Sequence, residues 1–147
     1  MKYNRKKIGN LLLIVFVILI SYIVPVQASS RPSSDSKGWT APTEAKKLKN
    51  PIPATKDIIQ LGKKIYQLQC ATCHGTSGKG DGMAGKFLPK KPANFLLPEF
   101  QKQTDGEIFW KITHGRTPMP AFKDILSEEQ RWQIVRYLRT LKPKKSK

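Results

Sequence analysis

The sequence predicts an all-α fold of three to four helices joined by long loops. Two long segments carry the helical repeat of apolar residues, and no segment of useful length alternates apolar and polar residues as a strand would. Gly, Pro and Lys are frequent over residues 75–103, which indicates loop rather than another long helix. A domain with so few helices has a thin core and needs an additional stabilising element, such as a disulfide, a metal or a cofactor.

The first predicted helix begins after Thr55 and continues to Cys70. Thr55 is a good N-cap residue, and Asp57 lies in the first turn, where a negative charge favours the helix dipole. Gly62 is predicted to let another helix approach closely. The apolar residues recur at three- and four-residue spacing and predict one packing face: Ile58, Leu61, Ile65 and Leu68.

A second long helix is predicted in "LSEEQRWQIVRYLRTLK", ahead of a basic tail at residues 143–147. Ser127 and Gln130 have the spacing of a capping box at its start. A shorter helix is predicted in "TDGEIFWKIT", where Thr104 and Glu107 repeat the same capping pattern.

The N-terminus has the pattern of a secretory signal. "MKYNRKK" carries four positive charges, ten apolar residues follow in "LLLIVFVILI", and a cleavage site is predicted after Ala28. The alternative for residues 1–28 is an uncleaved membrane anchor, although the apolar run is shorter than the about 20 residues of a full span. Both interpretations place the rest of the chain outside the cytoplasm. Residues 29–54, rich in Ser, Pro and Lys, are predicted as a tether before a domain at residues 55–142.

The chain is strongly basic, with 27 Lys and Arg against 10 Asp and Glu and a net charge of +17. Such a charge predicts an acidic partner, for which a protein carboxylate patch, an anionic membrane surface and nucleic acid are the candidates.

Both cysteines of the chain and one of its two histidines lie within five residues, as Cys70, Cys73 and His74. A disulfide here would close only a tiny loop and stabilise little. A thioredoxin-like redox pair needs a βαβ context, and a zinc site needs four ligands, for which only His114 remains. Cys-x-x-Cys-His is the attachment signature of a c-type heme, in which the thiols form thioethers and the histidine faces the iron. The motif therefore predicts one covalently bound heme c per chain, which also completes the thin core.

The second axial ligand of such a heme decides its chemistry. A protein ligand predicts an electron carrier, whereas an open position predicts binding of gases or peroxide. The candidates are Met83, His114 and Met119. We favour Met119, because prolines on both sides stiffen its backbone and because it lies 45 residues after His74, far enough to reach the opposite heme face.

The chain resembles class I monoheme cytochromes c, in particular bacterial c-type cytochromes that occur alone and as subunits of respiratory complexes. The resemblance covers residues 52–141 and is carried by "YQLQCATCHGTSGKGDG", "KKPANF", "TDGEIFWKITHGRTPMPAF" and "LSEEQRWQIVRYLRTL". It implies the cytochrome c fold around one covalently bound heme, with Cys70 and Cys73 as anchors and His74 and Met119 as axial ligands. It further implies that the terminal helices cross, so that Gly62 and Tyr66 meet Trp132 and Tyr137.

The predicted function is electron transfer through one c-type heme with His/Met ligation, in the periplasm or on the outer face of the cytoplasmic membrane, without catalysis by this chain. Lysines near the predicted heme edge would steer redox partners with acidic surfaces: Lys79, Lys86, Lys90 and Lys91. Nucleic acid fits the charge but not an exported heme domain. Two alternatives stay open: a heme enzyme or gas sensor with a labile sixth ligand, and a c-type subunit of a membrane oxidoreductase complex.

Overall fold

Six α-helices and one 3₁₀ turn form the part of the chain that a computed structural model describes, residues 38–142. No strand occurs in this part of the chain, which contains one isolated bridge between Arg116 and Met119. The predicted all-α class is therefore confirmed, with three long helices and three short ones. In chain order the elements are α1 (Thr43–Lys47), α2 (Lys56–Gln69), α3 (Ala71–His74), the 3₁₀ turn (Ala84–Phe87), α4 (Pro98–Gln101), α5 (Asp105–His114) and α6 (Glu128–Leu138).

The predicted signal or anchor, residues 29–37 of the predicted tether and the predicted basic tail lie outside the described residues. Among residues 38–142, no helix combines the length and the apolar character that crossing a membrane requires.

The three long helices begin where the capping signals place them. Thr55 accepts a hydrogen bond from the Ile58 amide at the start of α2. Complete capping boxes open the other two, because Thr104 pairs with Glu107 before α5 and Ser127 pairs with Gln130 before α6. Each box satisfies two backbone donors that a helix start otherwise leaves unpaired.

Helices α2 and α6 cross at Gly62 and form the centre of the core. A Cβ atom on Gly62 would lie 2.0 Å from the Gln133 carbonyl oxygen, so only glycine permits this approach. One turn later, the Tyr66 and Tyr137 rings meet with centroids 5.1 Å apart. Tyr66 and Val135 are both fully buried. The crossing implied by the resemblance is present.

The predicted packing face of α2 is wrong at two positions. Leu61 and Leu68 were placed on the packing face of α2, but they are 44% and 78% exposed. The buried face is turned towards Gly62 and Tyr66, because the close backbone contact at the glycine determines which side of α2 meets α6. Trp132 stacks on Phe109 of α5, with ring centroids 3.8 Å apart, and the α6 atoms nearest to a Cβ on Gly62 belong to the next two residues, Gln133 and Ile134.

The second half of the predicted tether is packed on the domain. Residues 39–52, here called the N-terminal segment, include α1, whose Ala45 is 3% exposed and lies against Gly106 of α5. Asn50 donates from Nδ2 to the Trp132 carbonyl oxygen at 3.1 Å, and Arg136 donates from Nε to the Ile52 carbonyl oxygen at 2.8 Å. Order therefore begins well before Thr55, and the exact domain boundary stays a prediction.

Helix α6 is tied to the start of α5 by Arg139. Its guanidinium donates to Asp105 Oδ1 at 2.7 Å, to the Gln101 carbonyl oxygen at 2.9 Å and to the Gln103 carbonyl oxygen at 2.5 Å. A planar fork with several donors suits this set of acceptors, which a single ammonium group could not satisfy.

Candidate functional site

One helical turn carries the Cys-x-x-Cys-His residues. Cys70 ends α2, since its amide donates to the Tyr66 carbonyl oxygen at 2.8 Å. Its own carbonyl oxygen then accepts from the amides of Cys73 at 3.2 Å and His74 at 2.9 Å. Both thiols are free and half-buried. The end of α2 and the start of α3 therefore fix two thiols and an imidazole close together on a short stretch of rigid backbone.

The electrostatics of this turn do not suit thiol redox chemistry. Burial, with a smaller contribution from Cys73, raises the pKa of the Cys70 thiol to about 12. Redox-active cysteine pairs instead have a thiolate stabilised by positive surroundings, with a pKa below the ordinary value. At neutral pH this thiol is protonated, which disfavours the thioredoxin-like alternative.

The His74 imidazole is held from two sides. Its Nδ1 lies 3.3 Å from the Ala93 carbonyl oxygen, and its ring stacks on Phe95 with centroids 4.5 Å apart. Burial lowers the pKa of His74, which the hydrogen bond to Ala93 partly opposes. In the tautomer that carries its proton on Nδ1, this bond orients the ring and leaves Nε2 free to bind a metal, the usual arrangement of a histidine ligand.

A glycine-rich loop packs against the helical turn that carries the Cys-x-x-Cys-His residues. The Tyr66 hydroxyl donates to the Gly75 carbonyl oxygen at 2.6 Å, in a buried position. Gly75 has a φ of +79°, which favours glycine, and directs the chain away from α3. The 3₁₀ turn then returns, and a Cβ on Gly85 would lie 2.4 Å from the Cys73 carbonyl oxygen. The packing between this loop and the cysteine-bearing backbone is therefore close.

Met119 lies in a tight turn after α5. Its amide donates to the Arg116 carbonyl oxygen at 2.9 Å, and its carbonyl oxygen accepts from the Arg116 amide at 3.0 Å. Gly115 has a φ of +60° and packs closely against Pro120. Any other residue would clash there, because its Cβ would lie 2.4 Å from the Pro120 carbonyl carbon. The Met119 side chain is partly buried and packs against the core.

The two other candidate ligands have different surroundings. Met83 is 69% exposed beside the 3₁₀ turn. His114 is exposed at the end of α5, where its ring stacks on Trp110 with centroids 4.5 Å apart and its Nδ1 lies 2.9 Å from the Trp110 carbonyl oxygen. Both are therefore less suited than Met119 to a buried ligand position.

The residues present fit a c-type heme. They provide two free thiols, an imidazole that can offer Nε2 and a thioether on a separate, firmly bonded turn. Across residues 38–142, no three His, Cys, Asp or Glu side chains form a group that could hold a metal ion. No sequence pattern indicates the hydroxyl bond of Tyr66, whereas Phe95, whose ring stacks on His74, lies in the "KKPANF" segment that carries the resemblance.

Comparison with protein families matches residues 57–138 to the family described as subunit III of cbb3-type cytochrome c oxidase. Cytochrome c6 of Parathermosynechococcus lividus is 32% identical over 77 residues, which are 52% of this chain and 83% of that protein. The cytochrome c subunit of the bc1 complex of Corynebacterium diphtheriae is 30% identical over 87 residues, which are 57% of this chain but only 27% of that subunit.

Two solved structures are also similar to this chain. A chain of the reducing HAO-like protein complex of Kuenenia stuttgartiensis is 32% identical with a TM-score of 0.57, and the match covers 65% of this chain and half of that one. A c-type cytochrome is also 32% identical, with a TM-score of 0.50, over 56% of this chain and 98% of its own length. The helical architecture described above is thus that of c-type cytochromes.

Proposed function

Because this chain belongs to the cytochrome c family, in the group described as subunit III of cbb3-type cytochrome c oxidase, we propose that it is an electron carrier with one heme c, ligated by His74 and Met119. The observation that carries the proposal is the single rigid turn that holds two free thiols beside a metal-competent imidazole. Heme-based electron transfer is the activity that family membership supports. The number of hemes, the axial ligands and a location outside the cytoplasm are part of our proposal.

Cys70 and Cys73 would hold the heme covalently, and His74 would supply the first axial ligand. A bound heme supplies an iron that accepts and releases one electron. The protein's own contribution is to keep His74 in place, through Phe95 on its ring face and the Ala93 carbonyl oxygen at Nδ1. When Nδ1 donates a hydrogen bond, the other ring nitrogen, Nε2, becomes more basic and binds a metal more strongly.

Met119 would supply the second axial ligand. The paired hydrogen bonds with Arg116 limit the movement of its backbone, and its side chain is partly buried against the core. A thioether ligand raises the reduction potential relative to a second histidine. We therefore expect a carrier with a positive midpoint potential.

The test is the visible spectrum of the heme-loaded protein, recorded oxidised, reduced, and reduced with carbon monoxide. We expect wild type to be low-spin and indifferent to carbon monoxide. Met119→Ala should bind carbon monoxide in the reduced form, whereas the matched control Met83→Ala should behave as wild type. A wild type that binds carbon monoxide, or a Met119→Ala variant with an unaltered spectrum, would overturn the proposed ligation.

Docking of the redox partner is proposed to use the lysines near the 3₁₀ turn. All four are exposed: Lys79, Lys86, Lys90 and Lys91. Lys86 belongs to the turn that packs on the Cys73 backbone, which brings a positive charge close to the attachment residues. Such charges accelerate encounters with an acidic surface in a salt-dependent manner.

Rates of electron transfer to an acidic redox protein should fall with added salt, and Lys86→Glu should slow transfer most at low salt. Lys56→Glu provides a matched exposed control, because Lys56 lies at the far end of α2, about 20 Å along the helix from the cysteines. Equal effects of the two substitutions would contradict a localised docking surface and leave only a general charge effect.

A second candidate is service as an electron-transfer subunit within a larger oxidoreductase assembly. The similarity to a chain of an HAO-like protein complex favours it. Sedimentation of the protein extracted gently from its native source distinguishes the two functions, since a subunit migrates with partner chains and a free carrier migrates alone.

A further inference from the structure

One side of the Cys-x-x-Cys-His turn faces away from the proposed heme and borders an open hollow. Residues three and four positions apart in a helical turn share one face, so the two cysteines and His74 lie together and Thr72 lies opposite them. The hollow has a volume of about 480 Å³, and Thr72, Gln67 and Met83 are among the residues that line it. Met83 therefore lies on the side of the turn opposite the thiols and the imidazole.

Large apolar side chains are exposed around this hollow. Met83 is 69% exposed, and Leu68, next to Gln67 in α2, is 78% exposed. Phe87, at the end of the 3₁₀ turn that follows Met83, is 82% exposed. Because a 3₁₀ helix rises about 2 Å per residue, the backbones of Met83 and Phe87 are at most about 8 Å apart. Single exposed apolar residues are normal on a protein surface, but several close together indicate a contact with another molecule.

Positive charge surrounds the apolar side chains. A Cβ on Gly80 would lie 2.4 Å from the Pro92 carbonyl oxygen, and a Cβ on Gly85 would lie 2.8 Å from Pro92 Cγ. Gly80 and Gly85 thus both pack against Pro92, which brings three stretches of the chain together. Each stretch carries an exposed lysine next to its contact residue: Lys79, Lys86 and Lys91.

The charge of this surface favours one kind of occupant. Asp81 is the only acidic residue between positions 58 and 98, so the lysines outnumber the carboxylates. A second copy of the chain would bring the same lysines face to face, and like charges oppose such a contact. A lipid surface does not enter a hollow and exchanges no electron with a heme. A redox protein with carboxylates around a protruding apolar side chain matches both the charge and the shape.

We propose that this surface, here called the outer face of the cysteine turn, is where an acidic redox protein docks, with Phe87 as its main apolar contact. The outer face consists of Leu68, Met83, Phe87 and the three lysines just named. The proposal rests on the proposed electron-carrier function and extends it, because it assigns different steps to the two kinds of residue. Lysines accelerate association, whereas an aromatic side chain buried in the interface slows dissociation.

The test uses gold electrodes coated with thiol monolayers of known composition: carboxylate-terminated, methyl-terminated, and an equal mixture of both. Adsorption of the heme-loaded protein is weighed with a quartz crystal microbalance, and electron transfer is measured by voltammetry. Wild type should bind the mixed monolayer about fivefold or more tightly than the carboxylate monolayer, because only the mixture also buries apolar surface. Phe87→Ser should lose this gain and keep the binding to carboxylates.

The matched control is Ile125→Ser, which removes another exposed apolar side chain, 56% exposed, in the turn before α6. It should keep the gain on the mixed monolayer. Equal losses in Ile125→Ser and Phe87→Ser, or no loss in Phe87→Ser, would overturn the proposal. An altered visible spectrum of Phe87→Ser would also overturn it, since the ring would then contact the heme and not a partner.

Two further measurements address the other occupants. Vesicles of phosphatidylcholine and phosphatidylglycerol should bind wild type and Phe87→Ser equally, and binding that requires Phe87 would assign the outer face to a membrane. Sedimentation should show no dimer of wild type that Phe87→Ser abolishes, and such a dimer would assign the outer face to a second copy of the chain. Either result would replace the redox protein as the occupant.

The docking surface and the electron-carrier function fail in distinguishable ways. Adsorption that depends on Phe87, without electron transfer on any monolayer, would refute the carrier and support the outer face as a binding site for acidic proteins. Electron transfer combined with adsorption that is independent of Phe87 would refute the docking surface and support the carrier.

Discussion

Substitution of Gly62 by alanine tests whether the α2–α6 crossing controls stability. The new Cβ would lie 2.0 Å from the Gln133 carbonyl oxygen, 2.6 Å from its carbonyl carbon and 3.2 Å from the Ile134 amide nitrogen. All three atoms are backbone of α6, so no side-chain rotation relieves the contact. A carbon–oxygen contact needs about 3.3 Å, and α6 must therefore move by about 1.3 Å.

Two opposing effects determine how much Gly62→Ala changes the free energy of unfolding. Forcing an extra carbon into a well-packed contact costs about 1–3 kcal/mol, and a rigid backbone places this case near the upper value. Replacing glycine by alanine within a helix returns about 1 kcal/mol through helix propensity. We expect the free energy of unfolding to fall by about 2 kcal/mol, a large part of the about 5–15 kcal/mol typical of a domain.

The assay is guanidinium unfolding of the heme-loaded protein, followed by far-ultraviolet circular dichroism. Gly62→Ala should lower the midpoint without changing the slope. Gly38→Ala is the control, because no atom lies within 4 Å of the position its Cβ would occupy. If Gly62→Ala proves as stable as wild type, or gains the increment expected from helix propensity, the steric argument is refuted.

Three further predictions concern other contacts. Tyr66→Phe removes the hydroxyl bond to Gly75 and should lower the free energy of unfolding by about 1–2 kcal/mol. Burial raises the pKa of Tyr66 in the folded state above that of an unfolded tyrosine, which is about 10. The stabilisation by the neutral hydroxyl is therefore fully present below about pH 10 and is lost as the pH rises towards the pKa of the folded state. The difference in the free energy of unfolding between wild type and Tyr66→Phe should therefore shrink above about pH 10, and a difference that does not change with pH would contradict this. Arg139→Lys should cost about 1–2 kcal/mol in denaturant unfolding, because one ammonium cannot reach all three acceptors of the guanidinium, and full stability would count against the network. Gly115→Ala, at a φ of +60°, should lower stability by about 1–3 kcal/mol and increase carbon monoxide binding, and wild-type behaviour would show that the turn does not require glycine.

The starts of the long helices could be predicted because their signals are local. A capping box needs two residues three positions apart, and both boxes form as the sequence indicates. The Cys-x-x-Cys-His motif is local in the same sense, and its five residues occupy one turn of backbone.

The packing face of α2 was harder to predict because it depends on a distant partner. Apolar spacing alone favoured Leu61 and Leu68, which are exposed. The face is decided instead by Gly62 meeting the Gln133 backbone, a contact between residues far apart in the sequence. Periodicity reports which residues share a side of a helix but not which side the fold buries.

The N-terminal segment was missed for a different reason. Its prolines and polar residues are typical of a tether, and its attachment combines small buried residues such as Ala45 with backbone carbonyl oxygens and one aromatic ring, instead of a helical stripe of large apolar residues. Backbone acceptors leave no trace in the composition. The role of Met119 stays a prediction, although the turn that carries it gives the reason for a glycine at position 115.

The α2–α6 crossing should hold the two parts of the domain together even if the chain between them is cut. It joins Gly62 to Gln133, about 70 residues further along the chain, so the intervening part is a loop closed at its base by noncovalent contacts. A single cut in the exposed stretch at residues 89–91 would yield two fragments, each with one crossing helix. Because Gly62 and Tyr66 belong to one fragment and their partners on α6 to the other, the fragments should reassociate, so that an intact chain is not required to hold the domain together.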